Sequence, residues 1–262
     1  MGNAIIYTFV FAFIQISVGF VTMAWWKAVT GESPESSIGC TIVMMTAASL
    51  ISAAWFLWIK WAEVSRNWIR TRPWAVLCWS AVASLGMLIP SMWLQELSPV
   101  ELPNIAEEMF TGMIASPWGY VAIGLMAPLV EELVFRGAVL RSLLDWKGEQ
   151  QWLCISISAA LFAMIHMNPA QVPHAFLIGW LLGWMYYRTG SIIPGVVYHW
   201  MNNSVAFAIG HISYVMDPTY NGEETLVQMF GGSQLRVALA LVFSLMILLP
   251  AIYQLNLRLK KA

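Results

Sequence analysis

The sequence predicts an all-α fold, a polytopic transmembrane helix bundle of about eight spans with N-terminus and C-terminus cytoplasmic. Three observations predict it. The 262 residues are 59% apolar and only 10% charged, where a soluble domain carries about 25% charged residues. Eight apolar segments recur at roughly 20 residues each, the length that crosses a hydrocarbon core. Lys and Arg collect in alternate loops, which orients the spans. The net charge of −1 leaves no basic footprint for nucleic acid.

The first segment, 4–26, has no Lys or Arg before it and is too long for a signal peptide, so it reads as a retained span. Trp25 and Trp26 at its end, and Trp58 and Trp61 around the end of the second segment (38–59), fit interfacial belts. The third segment is 74–94. Residues 95–117 do not read as a span: Ile105, Met109 and Met113 recur every four residues around Glu107 and Glu108. That spacing predicts a short amphipathic helix at the outer interface, with Asn104 as its cap. The fourth segment, 118–144, is long. The fifth and sixth, 152–168 and 170–188, are separated only by MNPAQVP, where Pro169 and Pro173 lack backbone donors. They read as two short helices or one broken one. Gly179 and Gly183 give the sixth a close-packing face. The seventh segment is 190–211 and the eighth 235–255.

Lys60, Arg66, Arg70, Arg72, Arg141, Lys147, Arg188, Arg258, Lys260 and Lys261 fall on one side of this arrangement. Only Lys27 and Arg236 fall on the other, with Glu32, Glu35, Glu96, Glu101, Glu107, Glu108, Asp217, Glu223 and Glu224. The basic side is the cytoplasmic one by the positive-inside rule. Cys40, Cys78 and Cys154 lie in apolar runs without paired spacing and read as small buried hydrophobes. The whole chain, 1–262, reads as one integral membrane domain, multi-pass, in a bacterial inner membrane. Residues 118–211 carry its chemistry.

Within the spans the polar residues are the anomaly. The stretch APLVEELVFRG puts Glu131, Glu132 and Arg136 in an apolar run, where each unpaired charge costs several kcal/mol (roughly 2.5–3.5 on insertion scales). Glu132 and Arg136 are four apart, acid before base, and share a helix face. They read as a self-neutralising brace. Glu131 points about 100° away around the helix, at 3.6 residues per turn, and is left without that partner. His166 ends FAMIH, one turn after Phe162; His199 and Asn203 line one face of YHWMNNS. Taken singly, each His reads equally well as a hydrogen-bonded core residue. Counted from the basic side, Glu131, His166 and His199 lie roughly 20, 21 and 14 Å deep at about 1.5 Å per residue, so one pocket can hold them. His174 and His211 sit toward outer span ends, where a solvated position is the plain reading.

A carboxylate with a His is a general-base pair for water, and a second His with an Asn amide can donate to an oxyanion. The same groups, Glu131, His166 and His199, offer two His and a carboxylate to Zn²⁺. Neither is decided by spacing, because the ligands come from separate helices. No H-E-x-x-H or G-x-S-x-G is present, and the two Asp residues, Asp145 and Asp217, lie in loops.

EELVFR (131–136) fits E-E-x-x-x-R, FAMIH (162–166) fits F-x-x-x-H and HWMNN (199–203) fits H-x-x-x-N. In this order on separate helices they resemble the CPBP family, the CAAX protease and bacteriocin-processing enzymes, similar to type II CAAX prenyl endopeptidases. The resemblance covers roughly residues 118–211. It implies an intramembrane endopeptidase acting on a membrane-associated peptide or protein. It implies that Glu131 and His166 activate water, that His199 and Asn203 stabilise the oxyanion, and that Glu132 and Arg136 support the site. The family has been called metalloprotease, and a glutamate-type mechanism has also been argued. No cofactor is favoured here, since Asn203 is a poor zinc ligand and a good oxyanion donor; Zn remains the alternative. A non-enzymatic bacteriocin-immunity, ion-binding or transport protein is the rival reading. A transport path would need a polar stripe to both membrane faces, whereas LMAPLV precedes Glu131 and VAFAIG follows Ser204.

Overall fold

The protein was analysed as a computed structural model, which describes residues 1–65, 73–97, 102–222 and 224–259. Arg66, Arg70, Arg72, Glu101, Glu223, Lys260 and Lys261, all part of the charge pattern above, lie outside the described residues. Among the described residues there are helices and no strand.

Helix α1 (Gly2–Thr30) ends where Gly31 turns left-handed at φ 75° and donates its N–H to the Lys27 carbonyl. Helix α2 (Ile38–Trp58) starts on Ser37, whose hydroxyl accepts the Cys40 N–H. Helix α3 (Trp74–Glu96) crosses next and packs along α10 (Gln234–Arg258). The two backbones approach closely: a Cβ on Gly86 would lie 2.7 Å from the Leu248 nitrogen. The four helices α1, α2, α3 and α10 are each long and apolar enough to cross a membrane. Phe13 on α1 is 70% exposed and Phe243 on α10 is 63% exposed. Apolar surface of this kind, repeated along both helices, suits lipid as its solvent. These helices mark an integral membrane protein.

The other four expected spans fall on helices of different make. Helix α5 covers 121–147 without a break, as Ala127–Val134 and Arg141–Lys147 joined to two π-helical stretches, Val121–Met126 and Phe135–Leu140. Residues 152–188 resolve into two helices, α6 (Gln151–Met164) and α7 (Val172–Thr189), joined through a 3₁₀ turn at Pro169–Gln171. At 14 residues, α6 is only about 21 Å long and stops short of a 30 Å core. Helix α8 (Ile193–Met216) follows, and a one-turn helix α9 (Leu226–Met229) precedes α10. Among the described residues the buried polar side chains of α1, α2, α3 and α10 are Ser and Thr, whereas α5 and α8 bury Glu132, Arg136, His199 and Asn202.

The amphipathic helix is present as α4 (Glu107–Ala115), but two expectations about it are corrected. Asn104 does not cap it: no side chain caps α4, and Asn104 Oδ1 instead accepts from Asn168 Nδ2 at 2.8 Å. The stripe also splits, with Met113 fully buried and Ile105, outside the helix, 70% exposed. Cys78 is likewise corrected: Cys40 and Cys154 are buried, whereas Cys78 is exposed on the outer face of α3.

Helix α5 runs through the centre, its residues from Val130 to Leu143 forming the largest buried cluster with α1, α6 and α7. Gly179 and Gly183 let α7 close on Ala159 and Ile155 of α6, the close approach their spacing implied. Basic and acidic loops gather at opposite ends. At the basic end, Arg141 meets Glu63 at 2.6 Å and Arg188 donates to the Asn256 and Leu259 carbonyls. At the acidic end, Glu96 accepts the Leu226 N–H and Asn168 Oδ1 accepts the Ile105 N–H. Asp217 there is held below the usual carboxylate range because Thr219 donates both its hydroxyl and its N–H to it.

Candidate active site

The brace on α5 forms as the spacing implied. Arg136 Nη1 donates to Glu132 Oε1 at 2.8 Å, with the side chains 1% and 0% exposed. The guanidinium also donates to the Gly179 carbonyl at 3.1 Å and lies 4.5 Å from the centre of the Phe162 ring. An aromatic face and a carbonyl thus share the charge that the carboxylate leaves.

Glu132 does more than brace. Its Oε1 also lies 3.1 Å from His199 Nδ1, although the two residues are 67 apart in sequence. A carboxylate already paired with Arg136 accepts, so Nδ1 carries the proton. That leaves His199 Nε2 facing the other acid, with Glu131 Oε2 at 3.8 Å. The imidazole therefore sits between the two glutamates. Among the described residues Glu132 Oε2 has no hydrogen-bond partner, and it abuts Gly195, where a Cβ would approach it to 2.7 Å. Gly195→Ala is expected to destabilise the protein by about 1–3 kcal/mol, the usual cost of overpacking, and to displace the Glu132 carboxylate. Thermal unfolding in detergent checks the first part.

His166 lies just past the end of α6, before Met167, a left-handed residue at φ 52°. Its Nδ1 lies 2.9 Å from the Phe162 carbonyl, which can only accept, so this ring too presents an unprotonated Nε2 when neutral. Phe162 is buried among the charged groups and meets His166 and His199 edge-on, at 4.9 and 5.9 Å. Asn203 Nδ2 donates to the Ile123 carbonyl at 3.0 Å, and its Oδ1 accepts from Asn202.

The π stretches explain part of this wiring. Three of their carbonyls take donors from outside the helix: Ile123 from Asn203, Phe135 from Ser158 Oγ at 3.0 Å, and Gly137 from the Glu63 N–H. Widened turns of this kind recur at functional sites. Here one of them fixes the Asn203 amide and the other carries Arg136.

Glu131, His166, His199 and Asn203 line one cavity of ≈ 500 Å³. Among the described residues no hydrogen bond joins Glu131 to His166, so the two would meet through a molecule held between them. Glu131 is 18% exposed into this space. The wall contributed by α1 and α2 is apolar at Phe11, Ala12, Ile16 and Met45. An accepting carboxylate, the accepting Nε2 of His166, a His199 Nε2 that accepts in the neutral ring and donates in the protonated one, and one amide with a spare N–H make a set for proton transfer at a bound polar molecule.

Residues 113–205 match the family model for Rce1-like, the type II CAAX prenyl endopeptidases. That stretch contains Glu131, Glu132, Arg136, His166, His199 and Asn203. The domain is of the CAAX protease family. Its members are intramembrane peptide hydrolases, and the family acts on membrane-associated proteins or peptides. No curated protein and no solved structure matches the chain. The match leaves α1, α2, α3 and α10 outside this CAAX protease domain, although α1 and α2 help to wall its cavity.

Zinc would require Glu131, His166 and His199 around one point. Among the described residues no three His, Cys, Asp or Glu side chains gather as a ligand set. His199 Nδ1 is turned to Glu132 and His166 Nδ1 to a backbone carbonyl, so only one nitrogen of each remains. An imidazole with one nitrogen held by a carboxylate or carbonyl and the other left free is also the form in which His ligates a metal, so zinc stays the alternative to the metal-free reading. His174, read from sequence as a solvated residue, also lines the cavity. Only its position one residue after Pro173, at the start of α7, hinted that it would face inward. His211 Nδ1 donates to the Ile114 carbonyl at 2.7 Å, and its ring stacks on Phe207.

Proposed function

We propose that the protein is an intramembrane endopeptidase that cleaves a membrane-associated substrate with a water activated at Glu131 and His166. The shared cavity, with a partly buried Glu131 beside two oriented imidazoles, carries this reading. The water oxygen attacks the scissile carbonyl carbon as its proton passes to Glu131, with the His166 Nε2 accepting a hydrogen bond from the same water. The developing oxyanion takes hydrogen bonds from the Asn203 N–H not used on Ile123 and from His199. For His199 to donate through Nε2 while Nδ1 donates to Glu132, it must be the imidazolium, and Glu132 compensates that charge. Collapse breaks the C–N bond, and the proton held by Glu131 goes to the leaving nitrogen. Pre-oriented donors of this kind are worth about 10²–10³ in rate each. The eight-span arrangement with both termini at the basic, cytoplasmic face belongs to the same proposal.

The test is cleavage of membrane-anchored peptides by the purified protein in bilayers, with fragments read by mass spectrometry. The wild type should give fragments that Glu131→Ala and His199→Ala do not. Cleavage retained in both variants overturns the assignment. Chelator titration is expected to leave the rate within about twofold, because no step above runs through a metal. Stoichiometric zinc whose removal abolishes cleavage would reverse that part.

A further inference from the structure

A second cavity, of ≈ 360 Å³, lies at the acidic end of the bundle between α3, α4, the 168–171 turn and Tyr220–Gly222. Its lining is polar at Ser91, Gln95, Asn104, Thr111 and Tyr220. It shares a wall with the cavity of the site: Phe110, Ile114, Gln171, His174, Asn202 and Ala206 border both.

Two members of that wall have polar atoms without a hydrogen-bond partner among the described residues. Asn202 is 6% exposed, and its Oδ1 has no hydrogen bond. Its amide nitrogen donates to Asn203 Oδ1 at 3.4 Å, so the orphan is an oriented acceptor held against the residue proposed to bind the oxyanion. Buried acceptors left open in this way call for a ligand or water. Among the described residues His174 makes no hydrogen bond, and it faces both cavities. The pair forms a polar doorway in a wall that is otherwise largely apolar.

Hydrolysis makes demands that an apolar cavity does not meet. Each turnover consumes one water and creates a carboxylate and an ammonium, neither of which leaves through lipid at low cost. Among the described residues the second chamber has Glu107 in its lining and no Lys or Arg. Further carboxylates at this end are Glu96 at the end of α3, Glu108 on α4, and Asp217 and Glu224 in the segment between α8 and α9. That field favours a cation over an anion.

We propose that the second chamber is the polar port of the site, admitting water through the His174–Asn202 doorway. The fragment bearing the new amino terminus leaves through the same port toward the acidic loops. This deepens the endopeptidase reading and rests on it for the identity of the fragment. The water path stands independently of it.

The experiment uses Ala127→Cys, in the inner cavity, as a reporter in the full-length chain with Cys40, Cys78 and Cys154 replaced by alanine. Reconstituted protein is treated with a small, membrane-impermeant cationic thiol reagent on one face at a time. Labelling is expected from the acidic-loop face alone. Closing the doorway with His174→Trp, or separately with Asn202→Leu, should slow it at least tenfold. A Thr111→Cys reporter in the outer chamber should label at the same rate with either doorway variant. Labelling of Ala127→Cys that is absent, that comes from the basic face, or that ignores both doorway variants overturns the port. The cleavage arm separates the two readings. A wild type that cleaves nothing removes the endopeptidase but leaves the labelling to decide the water path. Cleavage unchanged in variants whose labelling has collapsed removes the port's part in turnover.

Discussion

Glu131→Gln is expected to lower kcat for peptide cleavage by about 10²–10⁴-fold, the usual worth of a positioned general base, with little change in thermal stability. The substitution keeps size and shape and removes only the basic oxygen. Glu131 is 18% exposed into the cavity, and its one recorded ionic neighbour, His199 Nε2, is 3.8 Å away, too long for a firm hydrogen bond. Little packing or pairing is therefore lost with the charge. The contrast with its neighbour in sequence makes the test sharp. Glu132→Gln would disturb a buried guanidinium and an imidazole together, so its activity loss should come with a stability loss. A Glu131→Gln enzyme that cleaves within about threefold of wild type would remove Glu131 from the general-base role, given what that role is worth. A variant that loses activity only because it unfolds would show it in the melting curve.

The sequence made the helical class legible because apolar runs of about 20 residues with alternating loop charge have few other solutions. It made the Glu132–Arg136 pair legible because that contact is local: residues four apart share a helix face whatever the tertiary structure. The contact from Glu132 to His199 was not legible, since it spans 67 residues and depends on how α8 docks against α5. That contact changes the reading of Glu132 from a brace for Arg136 to a link between Arg136 and the imidazole. The π stretches were equally hidden. Nothing in VAIGLM or FRGAVL marks a widened turn, and what stabilises them are distant donors on Ser158, Asn203 and Glu63. Asn104 failed as a cap for a similar reason: Asn168, 64 residues away, competes for its side-chain oxygen. His174 was underrated because span-end position predicts solvent, whereas the short α6 draws the 168–171 turn inward and brings the start of α7 to the cavity wall.

Glu132→Ala is expected to destabilise the protein by about 3–5 kcal/mol, the range found when one partner of a buried ion pair is removed. Arg136 would keep the Gly179 carbonyl and the Phe162 ring but lose its only anionic hydrogen-bond partner among the described residues. His199 would lose the acceptor that fixes its Nδ1 proton, so any protein that still folds should cleave far more slowly, by at least about 10²-fold if one oxyanion donor is misplaced. Removing both charges separates the two effects. In Glu132→Leu/Arg136→Met the uncompensated guanidinium is gone, and an apolar pair of similar volume often recovers the stability of a buried ion pair. The double variant should therefore melt above the Glu132→Ala single variant, yet stay inactive because His199 remains unanchored. Equal melting of the double and single variants would mean that the pair is not what the loss of Glu132 exposes. Activity in the double variant would mean that His199 does not need Glu132. The two buried charges would then serve the fold alone, leaving Glu131 to work beside an imidazole oriented by packing against Phe162.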